Sequence, residues 1–176
     1  EREQAERGTP FMVIGRRPEE RVVEAIDDLD GKFDYLIVDL EGTAAQIVTF
    51  VLSRTDIAVI PFEPTPMETR QAARAVGLVK STAKMMRRPI PFTLLFTRTN
   101  AAFQTSDERD VRSETSDLPV LPVSIVRRAA YTRIFRDSLL LSELERGQVS
   151  NLPAALDNAR AYAQAVANLL KRVEAA

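Results

Sequence analysis

Asp39 stands where a short apolar run, Tyr35-Leu36-Ile37-Val38, ends, and the turn residues Gly42-Thr43 follow it. A carboxylate in that place has two uses. At the end of a buried strand it holds a water of hydrated Mg²⁺ beside a nucleotide phosphate, the form of a Walker B element. It also serves, more simply, as a cap on the following turn. A second constellation is cationic. Arg127, Arg128, Arg133 and Arg136 fall in one short stretch with no acidic residue among them. Guanidinium groups at this density suit phosphate contacts, which are electrostatic and do not read bases. They suit equally a solvated helix face paired with Glu143 and Glu145. On a helix starting at Ala129, Arg133 and Arg136 are three apart and share a face, while Arg127 and Arg128 precede it.

Composition narrows the chemistry further. The 176 residues include no cysteine and no histidine. That excludes thiol catalysis, disulfides, Cys/His zinc sites and histidine acid–base chemistry. What is left is carboxylates, hydroxyls, arginine, lysine and a hard cation held by oxygen. The formal net charge is -1, so any attraction to nucleic acid or membrane must come from a local patch. No apolar run approaches a membrane span, and the charged beginning is not a signal peptide, so a cytoplasmic protein is expected. The length suits a single domain over 1–176. The first residue is Glu1, not Met, which is expected of a fragment.

The elements that must position these residues alternate. The pattern predicts strands at 11–14, 35–38, 57–60 (stopped by Pro61), 92–96 and 120–126 (interrupted by Pro122). Helices are predicted at 18–29, from a Thr43 cap to about 53, from the Thr65-Pro66-Met67-Glu68 capping box to about 88, at 103–117 on the surface, at 129–137 and at 152–174. The last carries an apolar stripe of Leu156, Ala159, Ala163, Val166, Leu170 and Val173. Strands alternating with helices imply an α/β fold with a mostly parallel sheet and helices on both faces. Ligands of such sheets bind at the carboxyl ends of the strands. Three polar elements fall there: Asp39 to Gly42, Pro61-Phe62-Glu63-Pro64, and Thr97-Arg98-Thr99-Asn100.

Several segments in order carry a family resemblance. Phe33-Asp34-Tyr35-Leu36-Ile37-Val38-Asp39-Leu40-Glu41-Gly42 resembles the "FDYVIIDTPPG" stretch of ParA/MinD-type P-loop partition ATPases. Arg54-Thr55-Asp56 with the apolar run to Pro61 resembles the next strand of that family, and Pro64-Thr65-Pro66-Met67-Glu68 the opening of its next helix. Leu94 to Thr99 resembles the strand that ends beside the nucleotide base, and Leu121 to Tyr131 the family's "vlpt-I-r-r-vay" region.

The resemblance implies a plasmid or chromosome partition ATPase domain that binds ATP and Mg²⁺. Asp39 would order the metal and serve hydrolysis, and Thr97, Arg98 and Val123 would lie at the base pocket. It further implies a homodimer that binds non-specific DNA through Arg127, Arg128, Arg133 and Arg136, with a partner partition protein and no membrane. Two departures stand out. Glu41 occupies a place where the family usually has proline, and the chain contains no Lys-Gly-Gly-x-Gly-Lys-Thr loop. That loop supplies the N–H cradle and lysines for the phosphates. In the family it lies in an N-terminal block that also holds the central strand. The sheet is therefore expected to show a gap, to rearrange, or to be completed by another chain, and ATP is expected to bind this chain weakly. The alternative is a degenerate ParA-like module that binds protein or DNA without nucleotide. A MinD-like membrane-recruited ATPase would need an amphipathic membrane helix, and 152–174 reads instead as a packing helix.

Overall fold

Residues 11–15, 18–40 and 45–175 are described by the structure, a computed structural model. The chain divides into two compact units, Glu1–Arg54 and Thr55–Ala176.

In the first unit a 3-10 turn, Glu19–Arg21, leads into helix α1, Val22–Asp27, and α2 spans Ala45–Leu52. The two helices pack together, with Val22, Val51 and Leu52 buried. Arg54 staples them: its Nε donates to Asp27 Oδ1 at 2.6 Å and its Nη2 to Oδ2 at 3.1 Å. This two-pronged bond holds the Asp27 carboxyl below its ordinary range. The Thr43 cap expected for α2 lies outside the described residues.

The strands expected at 11–14 and 35–38 are not strands. Residues 35–40 run without regular structure, and Tyr35, Leu36, Ile37 and Val38 are all exposed, Ile37 at 90%. The physical reason is the lack of a ladder. An apolar run forms a strand only when a neighbour takes its N–H and C=O groups, and none of the described residues pairs with it.

The second unit follows the expected alternation closely. Its sheet is parallel, in the order β1 (Ala58–Phe62), β2 (Phe92–Thr99), β3 (Ile125–Val126). Helices α3 (Pro66–Met86), α4 (Ser106–Glu114), α5 (Ala129–Asp137) and α6 (Leu152–Glu174) surround it. Strand β2 is central, so Thr93, Leu94, Leu95 and Phe96 are all buried, as a two-sided strand requires. Phe96 packs on Phe62 with ring centroids 5.0 Å apart.

Pro61 does not stop β1, which continues to Phe62. The Ala58 N–H bonds the Pro91 carbonyl, so residues 58, 60 and 62 turn their backbone groups toward β2. Val59 and Pro61 turn theirs to the outer edge, where proline's missing donor breaks no ladder bond. The expected strand at 120–126 is split as its proline suggests: Val120 bridges Leu94, and pairing resumes at Ile125.

Helix α3 starts on the predicted cap, with Thr65 Oγ1 accepting the Glu68 N–H at 3.3 Å. Helix α4 is less exposed than its polar sequence suggests. Val111 and Glu108 are buried, and Arg112 binds Glu108 at 2.8 Å while its guanidinium lies 4.2 Å from the Phe96 ring centroid. On α6 the buried face is Leu152 and Ala155, which close a small core with Ala130 and Leu144; Ala163 of the predicted stripe is exposed.

Candidate functional site at the strand ends

The three parallel strands present their carboxyl ends together, and there the chain concentrates charge. Glu63 follows β1 directly. The buried side chains of Phe62 and Pro64 flank it, and a tight turn from Glu63 C=O to the Thr65 N–H (2.7 Å) fixes its backbone. Its Oε1 accepts from Arg127 Nη2 at 2.8 Å, and its Oε2 lies 3.6 Å from Arg98 Nη1. Both arginines are largely exposed, whereas the Glu63 side chain is 27% exposed.

Arg98 reaches this carboxylate because of the backbone. Thr97 pairs with Ile125 and Thr99 with Val126, so β2 spends two residues where β3 spends one. Arg98 is the extra residue of this bulge and adopts φ 53°, the left-handed region that arginine rarely enters. Thr97 before it is half-buried and Thr99 after it is buried, its carbonyl accepting the Arg127 N–H at 2.9 Å. Val123 is half-buried on the approach to β3.

The far edge of β3 is held by a side-chain amide. Asn158 Oδ1 accepts the Val126 N–H at 3.0 Å, and Asn158 Nδ2 donates to the Ser124 carbonyl at 2.8 Å. One amide thus serves two backbone groups as a neighbouring strand would. The Tyr131 hydroxyl donates to the Ala155 carbonyl at 2.9 Å and lies 3.2 Å from Asn158 Oδ1. Burial raises the Tyr131 pKa, against the nearby Arg128 charge. Arg112 completes the brace by donating to Ser124 Oγ at 3.0 Å. These bonds fix the point where β3 hands over to Arg127, Arg128 and α5.

The structure separates the four arginines of the basic stretch. Arg127 joins Glu63. Arg128, the residue before α5, has its Nε buried without a hydrogen-bond partner. Arg133 and Arg136 share a face, as their spacing predicts, and both bind Asp137. Arg136 Nε donates to Asp137 Oδ1 at 3.1 Å, and Arg133 Nε donates to Oδ2. The expectation of arginines paired with Glu143 or Glu145 is therefore corrected: the partner carboxylates are Asp137 and Glu63. The Arg136 bond first, then that of Arg133, holds the Asp137 carboxyl below its ordinary range. Arg133 and Arg136, with Thr132 and Gln148, line a shallow groove of about 470 Å³.

Asp39 belongs to the first unit, where it is exposed at the end of the irregular stretch. Glu41 lies outside the described residues. Among the described residues no group of three or more acidic side chains is placed to hold a metal ion. The sequence carries no glycine-rich phosphate cradle; in the second unit, by itself, the strand ends offer two guanidinium groups, Arg98 and Arg127, around the Glu63 carboxylate. Sequence reasoning placed Glu63 at a strand end without a role, and did not single out Asn158 or Asp137. Asp137 was readable, since it adjoins Arg136 and stands four residues after Arg133. Glu63 and Asn158 act across 64 and 32 residues of chain, a distance that no local pattern spans.

Comparison with known proteins gives a consistent picture. The family model described as VirC1 protein matches residues 20–175. A curated protein from Rhizobium radiobacter, "Protein ParA", is 26% identical over 150 residues, covering 84% of this chain and 67% of its own length. A solved structure described as "Structure of Cyanthece apo McdA" shares the fold at a TM-score of 0.67 and 21% identity. The match covers 84% of this chain but 59% of the McdA chain, so the present chain spans little more than half of that protein.

Proposed function

Since the chain belongs to the VirC1 protein family, a ParA-like family of the ParA/MinD type, we propose that it forms the larger part of a partition ATPase domain that binds ATP·Mg²⁺ and, as a dimer, non-specific DNA. The observation that carries this reading is the convergence of Arg98 and Arg127 at the carboxyl ends of adjacent parallel strands. A doubly wound sheet places its ligand there. Arg98 and Thr97 serve the nucleotide, with Val123 on the apolar side of its base. Asp39 orders the Mg²⁺, which when bound offsets phosphate charge.

Arg127, Arg128, Arg133 and Arg136 contact DNA phosphates in this reading. Three of the four are paired with carboxylates, so binding must exchange those pairs for phosphates. For the Arg127 and Arg136 pairs such exchange costs little, because exposed ion pairs contribute only about 0–1 kcal/mol; the part-buried Arg133 pair exchanges less readily. A partner partition protein would stimulate hydrolysis. No helix among the described residues is long and apolar enough to cross a membrane.

Calorimetric titration of ATP and Mg²⁺ tests the nucleotide reading. The whole protein should bind ATP, whereas the present chain should show no micromolar affinity. In the whole protein Asp39→Ala should abolish hydrolysis and Glu41→Ala should matter less. Full hydrolysis in Asp39→Ala would remove Asp39 from the metal site. Absence of any nucleotide binding by the whole protein, with DNA binding retained, would favour the nucleotide-independent module.

A further inference from the structure

We infer that Arg98 and Arg127 form one phosphate-binding site, and that Glu63 occupies it in the free protein as a stand-in for the phosphate. The inference goes beyond the reading above and replaces its assignment of the two arginines to different ligands; it rests on that reading only for the identity of the phosphate.

Three observations carry it. Glu63 offers one carboxylate oxygen to each arginine, Oε1 to Arg127 and Oε2 toward Arg98. Two guanidinium groups that share the oxygens of one anionic group are spaced to share those of a phosphate, which is similar in span and carries more charge. Next, the backbone is bent to make this happen. Arg98 sits in the bulge at φ 53°, and its guanidinium lies 3.6 Å from the carboxylate that follows β1. Strained non-glycine residues persist where the surroundings over-determine them, and they gather at ligand clamps. Last, the balance of charge leaves the site cationic. Among the described residues two guanidinium groups face one carboxylate there, which leaves an excess of one positive charge.

Glu63 is then an internal competitor. An incoming phosphate displaces it and gains both arginines together. The displaced carboxylate needs little shelter, because both ion pairs already lie at the surface.

The test uses the whole protein with two probes, ATP·Mg²⁺ and a random-sequence DNA duplex, and four variants. Arg98→Gly removes the guanidinium while keeping a residue suited to positive φ. Arg127→Ala removes its partner, Arg127→Lys keeps the charge without the fork, and Glu63→Gln removes the competitor. A single site predicts that Arg98→Gly and Arg127→Ala weaken binding of the same probe, each roughly tenfold. Their combination should cost much less than the product of the two. Arg127→Lys should recover part of the loss, and Glu63→Gln should tighten the same probe about two- to fivefold. If that probe is the duplex, the phosphate belongs to the DNA backbone; if it is ATP, it belongs to the nucleotide. Independent effects, with Arg98→Gly acting on ATP alone and Arg127→Ala on DNA alone, would overturn the single site. So would an unchanged affinity for both probes in Glu63→Gln. A whole protein that binds ATP but no DNA would refute the DNA half of the functional reading, and the ATP arm would still decide the site.

Discussion

Two stretches of this chain have nearly the same design and opposite fates. Residues 35–39 run through four apolar side chains into a carboxylate, Asp39, and residues 57–63 run through apolar side chains into Glu63. The second stretch is a strand with buried Ile60 and Phe62, and its carboxylate holds two arginines. The first is irregular, its apolar side chains are exposed, and its carboxylate stands in the open. The difference lies in neighbours. The 57–63 stretch has β2 beside it to take the backbone groups of alternate residues. A run of apolar residues states that a strand is buried when paired; it does not supply the pair.

Stability measurements on this chain should break or confirm that contrast, starting with the largest effect. Leu94→Ala deletes a fully buried side chain of β2 and should cost about 2–5 kcal/mol in urea unfolding. Ile37→Ala, at a 90% exposed position, should change stability by less than about 0.5 kcal/mol. Equal losses would mean that 35–38 is packed as β2 is.

Next comes the brace behind the strand ends. Arg112→Met leaves the buried Glu108 carboxylate without its partner and should destabilise by about 3 kcal/mol, the lower end for a buried pair because Arg112 is half-buried. The double variant Glu108→Leu/Arg112→Met should recover most of that loss, because two apolar side chains need no partner. A double variant as unstable as the single would show that packing against Phe96 matters more than the charge.

The smallest effect is acid dependence at α5. Arg136 and Arg133 depress the Asp137 pKa below its ordinary 3.8. A depressed carboxylate contributes stability above its unfolded pKa and loses it as pH falls through the folded value. Asp137→Asn should therefore flatten a small part of the stability decline below about pH 4 in thermal melts. An identical decline in the variant would show that the Asp137 pairs are too solvated to count.

Much of the second unit was legible in advance, for local reasons. Helix α5 at 129–137 and α6 at 152–174 have the predicted bounds, and Thr65 caps α3 as its spacing with Glu68 requires. Caps and helical periods act over a few residues, so the sequence displays them directly. The site was legible only in outline. Thr97, Arg98 and the Glu63 segment were placed at strand ends, yet the sharing of Glu63 between Arg98 and Arg127 depends on strand order and on a bulge. Neither follows from periodicity. The basic stretch misled in one respect, since Glu143 and Glu145 looked like its partners while Asp137 stood at its border and Glu63 lay across the sheet.

The central claim is that the β3 end and α5 meet nucleic-acid phosphates. It is tested most directly by binding of the ATP-loaded whole protein to random duplex DNA across a salt series. Replacing Arg127, Arg128, Arg133 and Arg136 with alanine should weaken binding alike for all sequences. The salt dependence should flatten by roughly one unit of slope for each DNA phosphate that the variant no longer neutralises. Unchanged affinity and slope in the four-fold variant, with ATP-dependent dimerisation intact, would contradict the claim and place the DNA surface elsewhere.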